Sequence, residues 1–346
     1  MTAERFRFHT NACRVERMPD QDYLLVWSGS EPDTAVTVYI ADYPEQFYRG
    51  VASGQAVAHT REHGVKIANP DVGIRHYFYL VSEGGDAIII AERKLPLLGS
   101  PNFRDLGGYE ARDGRRMRWG KVFRSGKLSA LSDVDIAAVN RLGLTLVCDF
   151  RKVTEQQLDP SRLGVDHSAR LQGLPISPGS ADSFMDNLLE GIIDIEDAAG
   201  LMEDINRDFV INHLHQYARM FELLLEQEHK VLIHCASGKD RTGFAAALIL
   251  DVLGVPEQDI VEDYLLTNTH FPVDEELQRL SKSLTDRSGK SLPESILRPL
   301  LEVHPDYINA CFHEIDQRYQ SREHFYEQAL DLDEAKIALL RDRYLH

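Results

Sequence analysis

Long apolar runs are missing from this chain. The most apolar candidate, residues 244–250, is closed by Asp251, well short of the roughly 20 residues of a membrane-spanning helix. No integral membrane segment is expected. Cysteine is scarce as well. Cys13, Cys148, Cys235 and Cys311 lie far apart and form no C-x2-C pair, so neither a zinc site nor a disulfide framework is signalled. No metal and no other cofactor is expected. The first residues, Met1-Thr2-Ala3-Glu4-Arg5, lack the apolar core of a secretory leader. A cytoplasmic location follows as the expectation, where reducing conditions keep a thiol available; export by another route stays open. Positive charge is in deficit too, with 38 Lys and Arg against 55 Asp and Glu, a net charge of -17. That argues against nucleic acid as a partner and does nothing to draw in anions over long range. One segment reverses the balance. Arg104, Arg112, Arg115, Arg116, Arg118, Lys121, Arg124 and Lys127 stand against only Asp105, Glu110 and Asp113. It is either a local positive field or a solvated hairpin face.

What is present suffices for two domains, since 346 residues at 43% hydrophobic content can supply two cores. Residues 13–18, 23–27, 35–40, 75–81 and 87–91 are short runs rich in Val, Ile, Tyr and Phe. Turn signals such as Ser28-Gly29 and Glu83-Gly84-Gly85-Asp86 divide them. Residues 1–94 are expected to form a small all-β sandwich of immunoglobulin or fibronectin type III character, a structural appendage or a dock for a partner. A short linker at 95–101 follows.

Beyond it the pattern turns to α/β, and 97–346 is expected to be one domain with a central, mostly parallel sheet flanked by helices. Residues 133–142 read as a helix closed by Gly143, and 144–148 as a buried strand ending in Asp149-Phe150-Arg151. A long amphipathic helix is expected to carry Val210, Leu214, Tyr217, Phe221 and Leu224 on one face. Residues 244–253 are apolar nearly all round, as in the central helix of a doubly wound sheet, and Gly254 and Pro256 stop it.

Between the strand Val231-Leu232-Ile233 and that helix lies His234-Cys235-Ala236-Ser237-Gly238-Lys239-Asp240-Arg241-Thr242-Gly243. Strand, tight loop and helix in this order put Cys235 at a helix N-terminus. Free backbone N–H groups and the helix dipole there favour an anion, whether a bound phosphate or a thiolate. The loop is not a Walker A nucleotide site, because Ile233 occupies the place of its first glycine and Asp240 follows Lys239.

Cys-x5-Arg followed by Thr-Gly resembles the cysteine-dependent protein tyrosine phosphatase superfamily. The Gly-Lys-Asp-Arg-Thr-Gly wording is similar to the bacterial branch that includes secreted tyrosine and phosphoinositide phosphatases of pathogens. Asn102-Phe103-Arg104-Asp105-Leu106-Gly107-Gly108-Tyr109 resembles the opening signature of that branch. The resemblance covers roughly residues 97–346 and implies hydrolysis of phosphotyrosine, with phosphoserine and phosphothreonine or phosphoinositides as further substrates. Inorganic phosphate would be the product. It implies Cys235 as nucleophile, and Arg241 as a planar fork on two phosphoryl oxygens. Ala236, Ser237, Gly238, Lys239, Thr242 and Asp105 would line the substrate, and Thr242 would donate to the sulfur or simply cap the helix. It also places a helical lid at 173–200, a stretch that could equally be an ordinary surface excursion.

The proton donor is less direct. The family's usual Trp-Pro-Asp segment is absent, since neither Trp27 nor Trp119 precedes Pro-Asp. Asp240, Asp105, Asp149, Asp182 and Asp186 remain, and the resemblance favours Asp240 with Asp105 next. Asp105 is alternatively a turn residue before Gly107-Gly108, and Lys239 a solvent-facing loop charge. Cys148 is a resolving thiol or a buried strand cysteine. Two other classes stay open: a phosphate-binding scaffold without turnover, and another Cys-x5-Arg enzyme such as an arsenate reductase or sulfurtransferase.

Overall fold

The computed structural model describes residues 6–31, 33–48, 54–165, 167–177, 195–289 and 291–346. The chain forms two compact units: Met1–Pro96 with Arg104–Phe123 and Tyr344–His346, and Leu97–Phe103 with Arg124–Arg343.

The first unit is a sandwich of two antiparallel sheets. One is ordered β1 (Arg14–Arg17), β2 (Tyr23–Val26), β5 (Gly64–Ile67); the other β4 (Gln55–Thr60), β3 (Val36–Ala41), β6 (Tyr77–Ser82), β7 (Ala87–Ala91). Alternation along the strands buries Tyr23, Leu25, Val36, Val38, Phe78, Leu80, Ile88 and Ile90 in one shared core. The strands expected from the apolar runs are all there. β4 and β5 were not expected: Gln-Ala-Val-Ala-His-Thr is a half-exposed edge strand whose small and polar residues give no apolar alternation.

Residues 104–123, which open with β8 (Arg104–Asp105), belong with this unit rather than with the rest of 97–346, and several hydrogen bonds tie them to it. Asp105 N donates to Arg93 O at 3.0 Å, Trp119 Nε1 to Ile89 O at 2.9 Å, and Arg116 N to His346 O at 3.0 Å. Trp119 packs with Phe47, Tyr77 and Ile89.

The second unit has a parallel sheet at its centre. β10 (Leu146–Asp149) pairs with β11 (Arg170–Gly173) and with β12 (Val231–His234), in a register that sets Asp149 beside His234. The end of β9 (Val122–Ser125), at residues 124 and 125, flanks β12. Helix α1 (Asp133–Arg141) starts with a Ser132–Asp135 capping box and is followed by Gly143 at φ +67°. The short α2 (Val153–Leu158) follows β10.

The expected long helix is two. α3 (Ile195–Asn212) stops before His213, which leaves helical geometry at φ -122° and ψ 6°, and α4 (Leu214–Glu226) begins after it. Asn212 and His213 both turn their side chains to Asp208, a local break that no Gly or Pro marks. α5 (Asp240–Val252) is buried from Thr242 onward. A helical series completes the unit: α6 (Glu257–Leu265), α7 (Thr267–His270), α8 (Val273–Ser288), α9 (Glu294–Leu301), α10 (Pro305–Arg318), α11 (Arg322–Leu330) and α12 (Glu334–Tyr344). The greater part of the lid expected at 173–200, including Asp182 and Asp186, lies outside the described residues. No helix among the described residues is long and apolar enough to cross a membrane.

Candidate active site

β12 ends at His234 and α5 begins at Asp240, so the intervening turn must reverse the chain within five residues. Gly238 makes this possible. Its φ is +71°, and a Cβ there would lie 2.5 Å from the Ser125 carbonyl and 2.7 Å from Gly126 N. Gly243 serves packing instead, since a Cβ would strike the Tyr264 ring at 2.7 Å.

The loop's carbonyls are taken up by neighbouring residues. Lys127 N donates to Ala236 O at 2.8 Å. Asn102 Nδ2 and Arg124 Nη2 donate to Gly238 O at 2.9 and 2.8 Å. Arg124 is itself held by Asp263 at 2.7 Å, with both side chains essentially unexposed. The amides of Ala236, Ser237, Gly238 and Lys239 make no hydrogen bond to the described residues. Four consecutive N–H groups beside a helix N-terminus form an anion-binding nest.

Cys235, 2% exposed, sits at the start of this nest. The Thr242 hydroxyl is fully buried and has no hydrogen-bond partner among the described residues. Arg241 Nη1 donates to Glu155 Oε2 at 2.8 Å, and Nη2 to Oε1 at 3.3 Å. Burial disfavours the charged guanidinium, but the neighbouring Cys235 and then the Glu155 pair outweigh it and raise its pKa. Asp240 accepts a hydrogen bond from Tyr264 Oη at 3.3 Å. A thiol, an anion nest, a guanidinium fork, a carboxylate and an unsatisfied hydroxyl thus share ten residues.

A model of the tyrosine phosphatase family matches residues 95–346. The chain belongs to the tyrosine phosphatase family. It is 33% identical over 246 residues to a Cupriavidus necator protein described as a tyrosine-protein phosphatase, covering 70% of this chain and 85% of that one. It is also 33% identical over 264 residues to the triple specificity protein phosphatase PtpB of Mycobacterium tuberculosis, covering 67% of this chain and 91% of PtpB.

Other residues of this phosphatase fall less simply. Lys239 is not a solvent-facing charge: it is 2% exposed, and its Nζ donates to Leu300 O at 2.7 Å in the last turn of α9. Burial lowers its pKa. Asp105 is fully buried, and its carboxylate is occupied by Arg75 at 2.7 Å and by the amides of Gly107 and Gly120 at 2.8 Å. It is the turn residue rather than a contact for substrate. Asp149 accepts a bidentate grip from Arg151 and orders the end of β10.

Cys148 is a buried strand thiol whose pKa burial pushes up to about 12. The basic segment is no free field either. Arg104 and Arg124 are buried, Arg115 pairs with Asp113, Arg116 with Glu110 and Lys127 with Asp159. Glu155, Asp263 and Tyr264 were not legible as site residues.

His234 is buried beneath the loop, its Nε2 3.5 Å from Asp149 and its Nδ1 3.3 Å from Cys235 O. Burial takes its imidazole from 6.5 down to about 4, so the neutral ring is the folded form. Because the folded value lies below the unfolded one, the unfolded chain binds more protons between those limits. Stability is therefore complete above pH 6.5 and is lost as pH falls toward 4. Urea denaturation across this range should show a loss of up to about 1.4 kcal/mol per pH unit from this group. A His234→Gln variant should show a shallower slope. An unchanged slope would assign the acid sensitivity elsewhere.

Proposed function

We propose that this phosphatase hydrolyses phosphotyrosine, and more slowly phosphoserine and phosphothreonine, through a phosphocysteine on Cys235. The observation that carries the reading is the set of four amides between Cys235 and Arg241 that make no hydrogen bond to the described residues. The Cys235 thiolate attacks phosphorus and forms an S–P bond as the P–O bond to the leaving group breaks. Asp240 gives its proton to the departing oxygen. The amides and the Arg241 fork bind the equatorial oxygens while charge shifts onto them.

In the second step water attacks phosphorus, its proton passes to the Asp240 carboxylate, and the S–P bond breaks. The buried Thr242 hydroxyl donates to the sulfur that leaves. Inorganic phosphate is released. Ala236, Ser237 and Gly238 bind through their backbone. Lys239, tied to Leu300, adds positive potential from behind the loop rather than grasping a second phosphate. This disfavours a polyphosphorylated inositol headgroup as the preferred substrate. Residues 97–346 are read as the phosphatase region and 1–94 as a docking appendage.

Asp240→Asn is expected to slow alkyl phosphates on the order of 10²–10⁴-fold, the usual worth of a positioned acid. A p-nitrophenyl phosphate, whose leaving group needs little protonation, should be slowed far less. Steady-state rates on both substrates check this. A small, uniform decrease would move the acid to another residue. A panel of phosphotyrosine, phosphoserine and phosphothreonine peptides against inositol phosphates tests the substrate order.

A further inference from the structure

The all-β unit holds a cleft of about 350 Å³ between the turn that follows β1 and the chain that follows β7, within the size range of small-molecule sites. Its polar wall follows from strand geometry. Past β7 the chain stays extended, pairing at Glu92 with Val15 and at Lys94 with Arg104. Alternation sends Arg93 to one face, where it lies over the Tyr109 and Trp119 rings at 4.3 and 4.9 Å. Glu92 and Lys94 are left in the cleft wall. Arg17, the last residue of β1, stands with them. Its Nε and Nη2 donate to the two Glu92 oxygens at 2.9–3.3 Å, and Nη2 also to Tyr23 Oη at 3.1 Å. The guanidinium is steadied further by the Tyr23 ring, 5.0 Å below it.

Two donors are left over. Arg17 Nη1 and the Lys94 ammonium make no hydrogen bond to the described residues. With Glu92 matched to Arg17, the wall carries one positive charge in excess. Asp20 and Asp22 do not cancel it, because both are taken by Lys66, at 2.6 and 3.1 Å. Between them Gln21 stands at φ +71°, a conformation that suits glycine, and Asn69 Nδ2 holds its carbonyl at 3.0 Å. Met18, Pro19 and Pro96 add apolar lining.

We propose that this cleft binds a small organic acid, its carboxylate received by Arg17 Nη1 and Lys94 Nζ and its apolar stem lying on Met18, Pro19 and Pro96. One charge in excess suits a monoanion. A phosphate dianion would bring a second negative charge toward Glu92 with no further cation to meet it. Arg17 is oriented before the ligand arrives, so little ordering accompanies binding. The competing role is a structural Arg17–Glu92 pair beside a solvated lysine, the usual place of lysine.

Hexanoate, acetate and inorganic phosphate are titrated into the whole chain by ligand-observed NMR, with vanadate in excess to fill the loop at Cys235. Hexanoate should saturate one site and bind more tightly than acetate, since its stem buries more apolar area. Lys94 is exposed, and Lys94→Glu should weaken hexanoate by at least about tenfold, the loss of one charge-assisted contact. Turnover of p-nitrophenyl phosphate should be unchanged in that variant. Arg17→Lys, which keeps a cation for Glu92 but withdraws Nη1, should weaken hexanoate as well.

Absence of saturable hexanoate binding, or equal binding by the parent and Lys94→Glu, would overturn the site. Phosphate bound more tightly than hexanoate, and lost in Lys94→Glu, would overturn the class of ligand. If Arg17→Lys does not fold, Lys94→Glu decides the question.

Discussion

Cys235→Ser is expected to leave no measurable turnover of an aryl phosphate while the protein still binds inorganic phosphate. The expectation follows from what surrounds the sulfur. A serine hydroxyl ionises far above neutral pH and needs an adjacent base to act. The nearest imidazole, His234, is buried and its Nδ1 faces the carbonyl of Cys235 rather than the side chain. Nothing here replaces the thiolate. The proposed binding apparatus, in contrast, is backbone and guanidinium, and a one-atom substitution leaves both in place. Assay of p-nitrophenyl phosphate together with calorimetric titration of phosphate checks both halves. Turnover near that of the parent would sink the covalent mechanism. Loss of phosphate binding would mean that the substitution disturbed the loop.

The largest expected effect on stability is at Asp263. Its carboxylate is 1% exposed and holds Arg124, whose guanidinium is fully buried and continues to the carbonyl of Gly238. Asp263→Ala strands a charge that can neither reach water nor shed its proton, which costs about 3–5 kcal/mol. Replacing both partners with apolar residues should cost much less, because it removes the stranded charge along with the pair. Urea melts of Asp263→Ala, Arg124→Met and the double variant measure this. Equal destabilisation by single and double variants would show that burial of the charge is not the cause. The single variants should also lose activity beyond their loss of fold, since Arg124 draws back the carbonyl of the one residue whose conformation reverses the loop.

These two cases show what the sequence could and could not reveal. The proposed chemistry of the loop is contiguous: proposed nucleophile, nest, fork and acid occupy residues 235–242, where spacing alone speaks. The apolar runs of the sandwich and the buried helix after Gly243 were equally plain, because a single periodicity describes each. Arg124 and Asp263 are separated by 139 positions, and only the folded sheet and helices bring them together. Glu155 carried no signal in the sequence, since the spacing of a helix-capping carboxylate says nothing of a second partner.

Asp105 misled for a related reason. Within its block Asn102 donates to the loop, while Asp105 closes a turn. Lys239 was read from its charge, and a lysine's destination in three dimensions is not written in its neighbours. The break at His213 had no glycine or proline to announce it.

The bond from Lys239 to Leu300 has one more consequence. Leu300 lies in the final turn of α9, where carbonyls have no partner within the helix, and the buried ammonium serves as their cap. Asn102, Arg124 and Lys127 fasten the same loop from other stretches of chain. The ten-residue motif is therefore not a portable cassette. Grafted onto another strand–turn–helix, it would carry its reactive side chains but leave behind the fastenings that give them their shape. A working transplant would have to take residues 294–301 along.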